Sequence, residues 1–155
     1  MMRPMTPEVA RMRDNDLIRE LRAMRLDPAH YVIFGSAPLL VHGLRTSVRD
    51  LDVVARGAVW ERVSADGIPS TGTRSGDRAW QFCEGRLQFF ERWITRDWDT
   101  DELIDNAEII DGLRFAPLVE VLRYKEKLLR PKDVADIRAL RDHLGRPAED
   151  YRADG

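Results

Sequence analysis

The segment from Tyr31 to Val54 constrains the fold more than any other part of the chain. It reads YVIFGSAPLLVHGLRTSVRDLDVV. The apolar run at 32–34 is typical of a buried strand, and the Gly-Ser pair after it permits a sharp turn. Pro38 suits the first turn of a following helix, because an N–H at that position has no helical partner to lose. The order strand, turn, short helix, strand predicts an α/β fold.

Gly35 and Ser36 stand where this helix is expected to begin. The first N–H groups of a helix have no partner inside the helix, and together with the helix dipole they favour an anion such as phosphate. Two small residues let a ligand approach these groups closely. The same pair also fits a plain turn in which Ser36 caps the helix, so two readings stay open at this point.

Asp50 and Asp52 lie in the second expected strand. Because side chains alternate along a strand, both carboxylates project from one face, with their backbones about 7 Å apart. They repel each other unless a cation lies between them, and Mg²⁺ prefers one or two carboxylates together with phosphate oxygens. The pattern fits a magnesium site, and it also fits an exposed edge strand whose charges discourage aggregation.

At these residues the chain resembles the nucleotidyltransferase superfamily, whose fold is shared by DNA polymerase beta. The form HGLRTSVRDLDVV is similar to the bacterial branch that includes abortive-infection and toxin–antitoxin nucleotidyltransferases. The matching residues of the first block are Gly35-Ser36, Arg45-Thr46-Ser47 and Arg49-Asp50-Leu51-Asp52. A second block follows in the same order, with Leu122-Arg123-Tyr124-Lys125, Arg130-Pro131-Lys132-Asp133, Asp136-Ile137 and Leu140.

The resemblance implies transfer of a nucleotide from an NTP, such as ATP, to an acceptor hydroxyl, with release of pyrophosphate. It assigns catalysis to Asp50, Asp52 and Lys125, and it assigns two Mg²⁺ ions to Asp50 and Asp52. The residues implied for nucleotide binding are Gly35, Ser36, Arg45, Arg49 and Lys125. The implied acceptor is a tRNA end, a protein side chain or a small molecule. A toxin–antitoxin or phage-defence setting, with a cognate antitoxin as partner, is implied in the same way.

One departure from the family pattern concerns a third acid on a later strand. The strand expected over 86–91 carries Gln88 in the acidic position, and a glutamine cannot act as a base. Glu91 lies three residues on and faces the other way in a regular strand, although a bulge would re-aim it as a further metal ligand. The sequence therefore leaves two functions open: an active nucleotidyltransferase, and a catalytically degenerate module of the same fold that binds nucleotide or a partner.

The three lysines, among 25 basic residues, all lie within eight positions: Lys125, Lys127 and Lys132. An ammonium group is not interchangeable with a guanidinium, so this segment favours the smaller point charge. Lys125 also falls on the apolar stripe of an expected helix. A phosphate, a nearby acid or a path to solvent would each satisfy its charge. Asp133 is expected to cap the start of the next helix.

Composition sets the remaining expectations. The 155 residues are 43% hydrophobic and 34% charged, which predicts one domain over 1–145 and a frayed tail over 146–155. The expected fold class is α/β (α+β), with a small mixed sheet flanked by helices and a helical C-terminal part. No apolar run reaches the length of a signal peptide or a membrane span, which predicts a cytoplasmic protein without a membrane partner.

Charge narrows the choice of partners. The net charge of −2 argues against a general nucleic-acid binder. Arg45 and Arg49 flank the two acids as a local basic patch, which fits nucleotide phosphates or an RNA acceptor and equally fits a solvated loop.

Local patterns predict further elements. They indicate an amphipathic helix over 14–26, a turn-rich segment over 67–77 and two short strands within 80–93. The last helix is expected to end at Gly145 and Pro147.

Overall fold

The computed structural model describes residues 5–71, 78–93 and 98–154. The chain divides into two compact units, Met1–Ala116 (the N-terminal unit) and Pro117–Gly155 (the C-terminal unit). The single domain expected over 1–145 stays a prediction, because a domain is defined by independent folding as well as by compactness. Among the helices described, none combines the length and the apolar character needed to cross a bilayer.

The N-terminal unit combines helices with all the strands described. Its helices are α1 (Pro7–Asp14), α2 (Asp16–Ala23), α3 (Ala37–Val41), α4 (Gly57–Asp66) and α5 (Thr100–Asp105). Its strands are β1 (Tyr31–Phe34), β2 (Leu51–Ala55), β3 (Ile68–Thr71), β4 (Arg78–Phe82), β5 (Leu87–Phe90), β6 (Glu108–Ile110) and β7 (Leu113–Phe115). Short 3₁₀ turns cover Pro28–His30 and Cys83–Gly85.

The seven strands form one mixed sheet in the order β3-β4-β5-β2-β1-β7-β6. β1 is parallel to β7, and β2 is parallel to β5. The remaining neighbours, including the central pair of β1 and β2, are antiparallel. The expected α+β class with a mixed sheet is therefore confirmed.

Each face of the sheet has its own core. On one face Ile33, Val53 and Phe89 are fully buried in a cluster that also holds Leu17 and Leu21 of α2. On the opposite face Phe34 stacks against Trp93, with ring centroids 4.3 Å apart, and α5 lies against β1 and β2. Burial of a large apolar side chain stabilises a fold by about 1.5–3 kcal/mol. Because both faces are covered, the central strands are apolar at almost every position.

Side-chain caps set the bounds of the first two helices. Thr6 accepts a hydrogen bond from the Val9 N–H, at 3.2 Å, and so begins α1. Asn15 accepts from the N–H groups of Leu17 and Ile18, at 2.9 and 3.0 Å, and so begins α2. The helix predicted over 14–26 is observed as α2, whereas the sequence analysis did not predict α1.

The strand predictions have a mixed outcome. The strand at 32–34 and the two strands within 80–93 are confirmed as β1, β4 and β5. The segment expected to be turn-rich over 67–77 begins with β3, and residues 72–77 lie outside the described part of the chain.

The C-terminal unit is helical. It holds α6 (Leu118–Leu128), a 3₁₀ turn at Pro131–Asp133 and α7 (Val134–Asp154). α6 ends at Leu129, whose φ of 47° is left-handed. The predicted end of the last helix at Gly145 and Pro147 is wrong, because the backbone of α7 continues through both residues. A glycine ends a helix by turning left-handed, and Gly145 stays helical instead.

Candidate functional site

Gly35 and Asp52 lie close together at the end of the two central strands where β1 ends and β2 begins. In the antiparallel register Phe34 is opposite Asp52, so the turn at Gly35 begins beside the Asp52 side chain. Gly35 has a φ of +69°, and a Cβ placed on it would lie 3.2 Å from the Asp52 Oδ2. The backbone conformation therefore favours glycine, and a Cβ at this position would make a tight contact with the Asp52 carboxylate. The structure brings together the turn predicted to hold phosphate and one of the two acids predicted to hold magnesium.

Asp52 lies in a row of side chains that crosses three strands. Cross-strand partners share a face of a sheet, and Asp52 has Phe34 of β1 on one side and Gln88 of β5 on the other. Phe34 is fully buried, and Asp52 and Gln88 are half-buried. Gln88 thus occupies the position beside Asp52 at which the resemblance predicts a third acid. Its amide Nε2 donates to the Gly85 carbonyl at 3.0 Å.

Glu91 does not stand in that row. It follows β5 at a bend and is exposed, and its backbone carbonyl accepts a hydrogen bond from the Thr100 hydroxyl at 2.7 Å. Its assignment as a further metal ligand stays a prediction.

Asp50 differs from its prediction in one respect. The sequence analysis placed it inside the second strand, but β2 begins at Leu51, and Asp50 is the exposed residue immediately before it. The Leu51 N–H donates to the carbonyl of Arg86, the residue before β5, at 2.7 Å. The pairing of β2 with β5 begins at this hydrogen bond. The strand therefore starts one residue later than the alternation pattern indicates.

Ser36 occupies the N-cap position of α3 and is half-buried. The predicted N-cap position of Ser36 is therefore confirmed, but its side chain makes no capping hydrogen bond to that helix. α3 has only five residues, and a helix dipole grows from aligned peptide groups. Any phosphate binding at this turn would therefore depend more on local N–H groups than on a long helix.

The two predicted arginines lie in the loop between α3 and β2. Arg45 is half-buried and Arg49 is exposed. Beside this loop is an open surface cavity of about 450 Å³, lined by Thr46 and Ser47 together with Arg11 and Asp14. Neither Asp50 nor Asp52 lines it.

Lys125 belongs to the C-terminal unit, where its side chain is only 2% exposed. Its Nζ lies 3.4 Å from Asp133 Oδ1 and 3.1 Å from Asp136 Oδ2, both of which are also buried. A nearby acid was one of the three ways in which the sequence could satisfy this lysine, and the structure shows that arrangement. The role of Lys125 on a triphosphate stays a prediction.

Asp133 joins this cluster to the start of the 3₁₀ turn. Its carboxylate accepts from the backbone N–H of Arg130 at 3.3 Å, which confirms the predicted cap. The Arg130 guanidinium also donates to it, at 2.7 and 3.0 Å. Burial acts to raise the pKa of Asp133, but the Arg130 hydrogen bond and the Lys125 charge outweigh it and hold that pKa below 3.8.

The donor set at Asp50 and Asp52 fits a magnesium ion that is shared with a nucleotide. In the described residues no three His, Cys, Asp or Glu side chains are grouped so as to hold a metal. Mg²⁺ in nucleotide sites commonly takes one or two carboxylates and completes its shell with phosphate oxygens and water. Asp52 beside the glycine turn, with Asp50 two positions before it in the chain, supplies carboxylates of this kind, whereas an ion held by protein ligands alone would need more.

We expect Gly35→Ala to lower the free energy of unfolding by more than Gly112→Ala. Both glycines have a left-handed φ, +69° and +80°, but a Cβ on Gly112 would meet nothing within 4 Å. The control therefore carries only the backbone strain, about 1–2 kcal/mol, and Gly35→Ala adds a contact of 3.2 Å with the Asp52 Oδ2, which is tighter than ordinary van der Waals contact. Urea unfolding measures both changes. Equal losses would contradict the close approach, and Asp52→Ala in the Gly35→Ala background should recover part of the excess.

We expect Lys125→Met to lower the free energy of unfolding by about 3 kcal/mol, because it removes a buried cation from the carboxylates of Asp133 and Asp136, of which Asp133 keeps Arg130. Lys127→Met is the matched control, since Lys127 lies two positions along the same helix and is exposed. The control should change stability by less than about 0.5 kcal/mol. Thermal or urea unfolding of both variants provides the measurement, and similar losses would show that the buried cluster contributes little.

The N-terminal unit thus places the Asp52 carboxylate next to a left-handed glycine turn, and Asp50 is exposed immediately before the same strand. Comparisons of the chain with protein-family models, with curated proteins and with solved structures find no match.

Proposed function

We propose that this protein is a Mg²⁺-dependent nucleotidyltransferase, which moves a nucleotide from an NTP to an acceptor hydroxyl and releases pyrophosphate. The observation that supports the proposal is the close approach of the Gly35 turn to the Asp52 carboxylate. A glycine turn and a metal-binding acid in contact are what a nucleotide with bound magnesium requires, since its phosphates and its cation occupy adjacent positions.

Each residue has a part in this proposal. Asp50 and Asp52 hold the cation, and the turn at Gly35 and Ser36 receives the phosphates. Arg45 and Arg49 add positive charge in the loop that leads to Asp50. Bound magnesium neutralises charge on the reacting oxygens. The chain itself mainly positions the triphosphate, because phosphoryl-type transfer depends on positioning and electrostatics more than on covalent chemistry.

Lys125 and the acceptor complete the proposal. The resemblance assigns Lys125 to the triphosphate, and the acceptor is an RNA, a protein side chain or a small molecule. A cytoplasmic location and a cognate antitoxin belong to the same hypothesis.

A second function is favoured by one specific observation, the glutamine beside Asp52. Gln88 pairs with Asp52 across β2 and β5, and a neutral amide neither binds Mg²⁺ as strongly as a carboxylate nor takes a proton from an acceptor hydroxyl. A chain with this row could bind nucleotide, or a partner, without transferring anything. Magnesium-dependent binding is common to the enzyme and the nucleotide-binding module, so only a transfer assay separates them.

We expect the protein to bind at least one of the four NTPs only when Mg²⁺ is present. Asp50→Ala/Asp52→Ala should weaken that binding at least tenfold, which is about 1.4 kcal/mol, because it removes both cation ligands. The control is Glu61→Ala/Asp66→Ala, which removes two exposed acids of α4 and changes the net charge equally. Isothermal titration of folded samples measures the affinities. Wild type that binds no NTP, or equal losses in the two variants, would refute the proposal.

We expect Gln88→Glu to increase nucleotide transfer about a hundredfold, the lower end of what a general base supplies. Transfer is followed with α-³²P-labelled NTP, offering total tRNA and the protein itself as acceptors. Gln81→Glu is the control, because Gln81 pairs with Gln88 one strand further from Asp52. Activity in wild type that Gln88→Glu leaves unchanged would show that the third carboxylate is dispensable. Nucleotide binding without transfer in either protein would support the non-catalytic module.

A further inference from the structure

Arg86 makes hydrogen bonds to both peptide groups that flank Asp50. Its guanidinium Nε donates to the Arg49 carbonyl at 3.1 Å, and its own backbone carbonyl accepts the Leu51 N–H at 2.7 Å. Asp50 is the single residue between these two contacts. Its backbone is therefore fixed from both sides by one residue that lies 36 positions along the chain.

The Arg86 side chain is oriented in turn by Asp16, the first residue of α2. One terminal nitrogen of the guanidinium lies 3.0 Å from Asp16 Oδ2 and the other 3.5 Å from Oδ1. The hydrogen bond from Arg86 is the main cause that lowers the pKa of Asp16 below 3.8. The three nitrogens of the guanidinium are thus divided between a carboxylate on α2 and a carbonyl beside Asp50.

The backbone of Arg86 is set by the unusual turn before it. Cys83, Glu84 and Gly85 all have positive φ, at 53°, 58° and 86°, and the Gln88 amide donates to the Gly85 carbonyl at 3.0 Å. Left-handed residues other than glycine persist only where the surroundings enforce them. The left-handed turn at residues 83–85 thus places the Arg86 carbonyl within hydrogen-bond distance of the Leu51 N–H, the first of β2.

We propose that Arg86 is a positioning residue for Asp50, which holds the carboxylate where it can share a magnesium ion with Asp52. The inference rests on the proposed function for the identity of the cation, but not for the contacts that fix the backbone. Arg86 and Asp16 are 46% and 58% exposed, and an exposed ion pair contributes little to stability. The contribution of Arg86 is therefore to geometry at Asp50 and not to the folding of the unit.

An arginine is needed for this task because one side chain must serve two acceptors in different directions. The planar fork of a guanidinium does so in a single conformation, whereas an ammonium is a point charge with no fixed second donor. Arg86→Lys keeps the charge opposite Asp16 but cannot keep both contacts. It therefore separates geometry from charge, which Arg86→Ala does not.

The experiment compares wild type, Arg86→Lys, Arg86→Ala and Asp16→Asn, with Arg13→Lys as the matched control. Arg13 is 49% exposed and also pairs with a surface acid, Asp111, away from the β2 strand. For each folded protein the apparent Mg²⁺ affinity is measured from NTP binding at a series of free Mg²⁺ concentrations, and the backbone order parameter of Asp50 by ¹⁵N relaxation. Urea unfolding reports stability in parallel.

We expect Arg86→Lys and Arg86→Ala to weaken the apparent Mg²⁺ affinity about tenfold, the lower end for residues that orient metal ligands. The order parameter of Asp50 should fall in both, Asp16→Asn should show a smaller change of the same kind, and Arg13→Lys should match wild type. A purely structural role would lower stability and leave Mg²⁺ affinity and the order parameter unchanged, which would overturn the inference.

The two proposals fail in different ways. If wild type binds no nucleotide, the proposed function falls, and the order parameter still decides whether Arg86 fixes Asp50. If wild type binds Mg²⁺ and NTP but every Arg86 variant does so equally well, the site stands and the positioning role falls.

Discussion

The antiparallel pairing of β1 with β2 is the interaction on which both the sheet and the candidate site depend. It sets Phe34 opposite Asp52, so that the turn at Gly35 opens beside the carboxylate. The sheet then extends outward from this pair, through β7 on one side and β5 on the other. A register shifted by one residue would turn Asp52 to the face of Ile33 and Val53, and a carboxylate buried among apolar side chains is costly.

In the row formed by Phe34, Asp52 and Gln88, the requirements of electrostatics and of catalysis oppose each other. Three carboxylates on adjacent strand positions repel one another, and each is harder to ionise unless metal ions occupy the site. Gln88 carries no charge and supplies a donor, which its contact with the Gly85 carbonyl uses. Under the proposed function, the amide therefore favours stability of this row, whereas a carboxylate there would favour metal binding and proton transfer.

The sequence predicted the features that depend on local pattern. The strand at Val32–Phe34 and the hairpin strands around Glu84 and Gly85 follow from apolar runs and turn residues, and both are observed. The start of β2 at Leu51 could not be predicted, because a hydrogen bond from a distant turn decides it. For the same reason Arg86 carries no local signal: its importance lies in the contacts it makes with segments far away in the chain.

Lys125 and Arg86 show that burial alone does not indicate what a charged residue contributes. Lys125 is buried with its acids, and a buried charge must be compensated or it destabilises the fold, so its pairing is first a condition for folding. Arg86 is half exposed and pairs across the surface, where water screens the attraction and the free energy gained is small. A weak contact can still select one backbone conformation from several of similar energy, provided that it acts on the peptide groups next to the functional atom. Under the proposal made for Arg86, such a residue has little effect on stability and a direct effect on the position of the Asp50 carboxylate. The binding of Mg²⁺, a small ion with strict geometry, depends on that position.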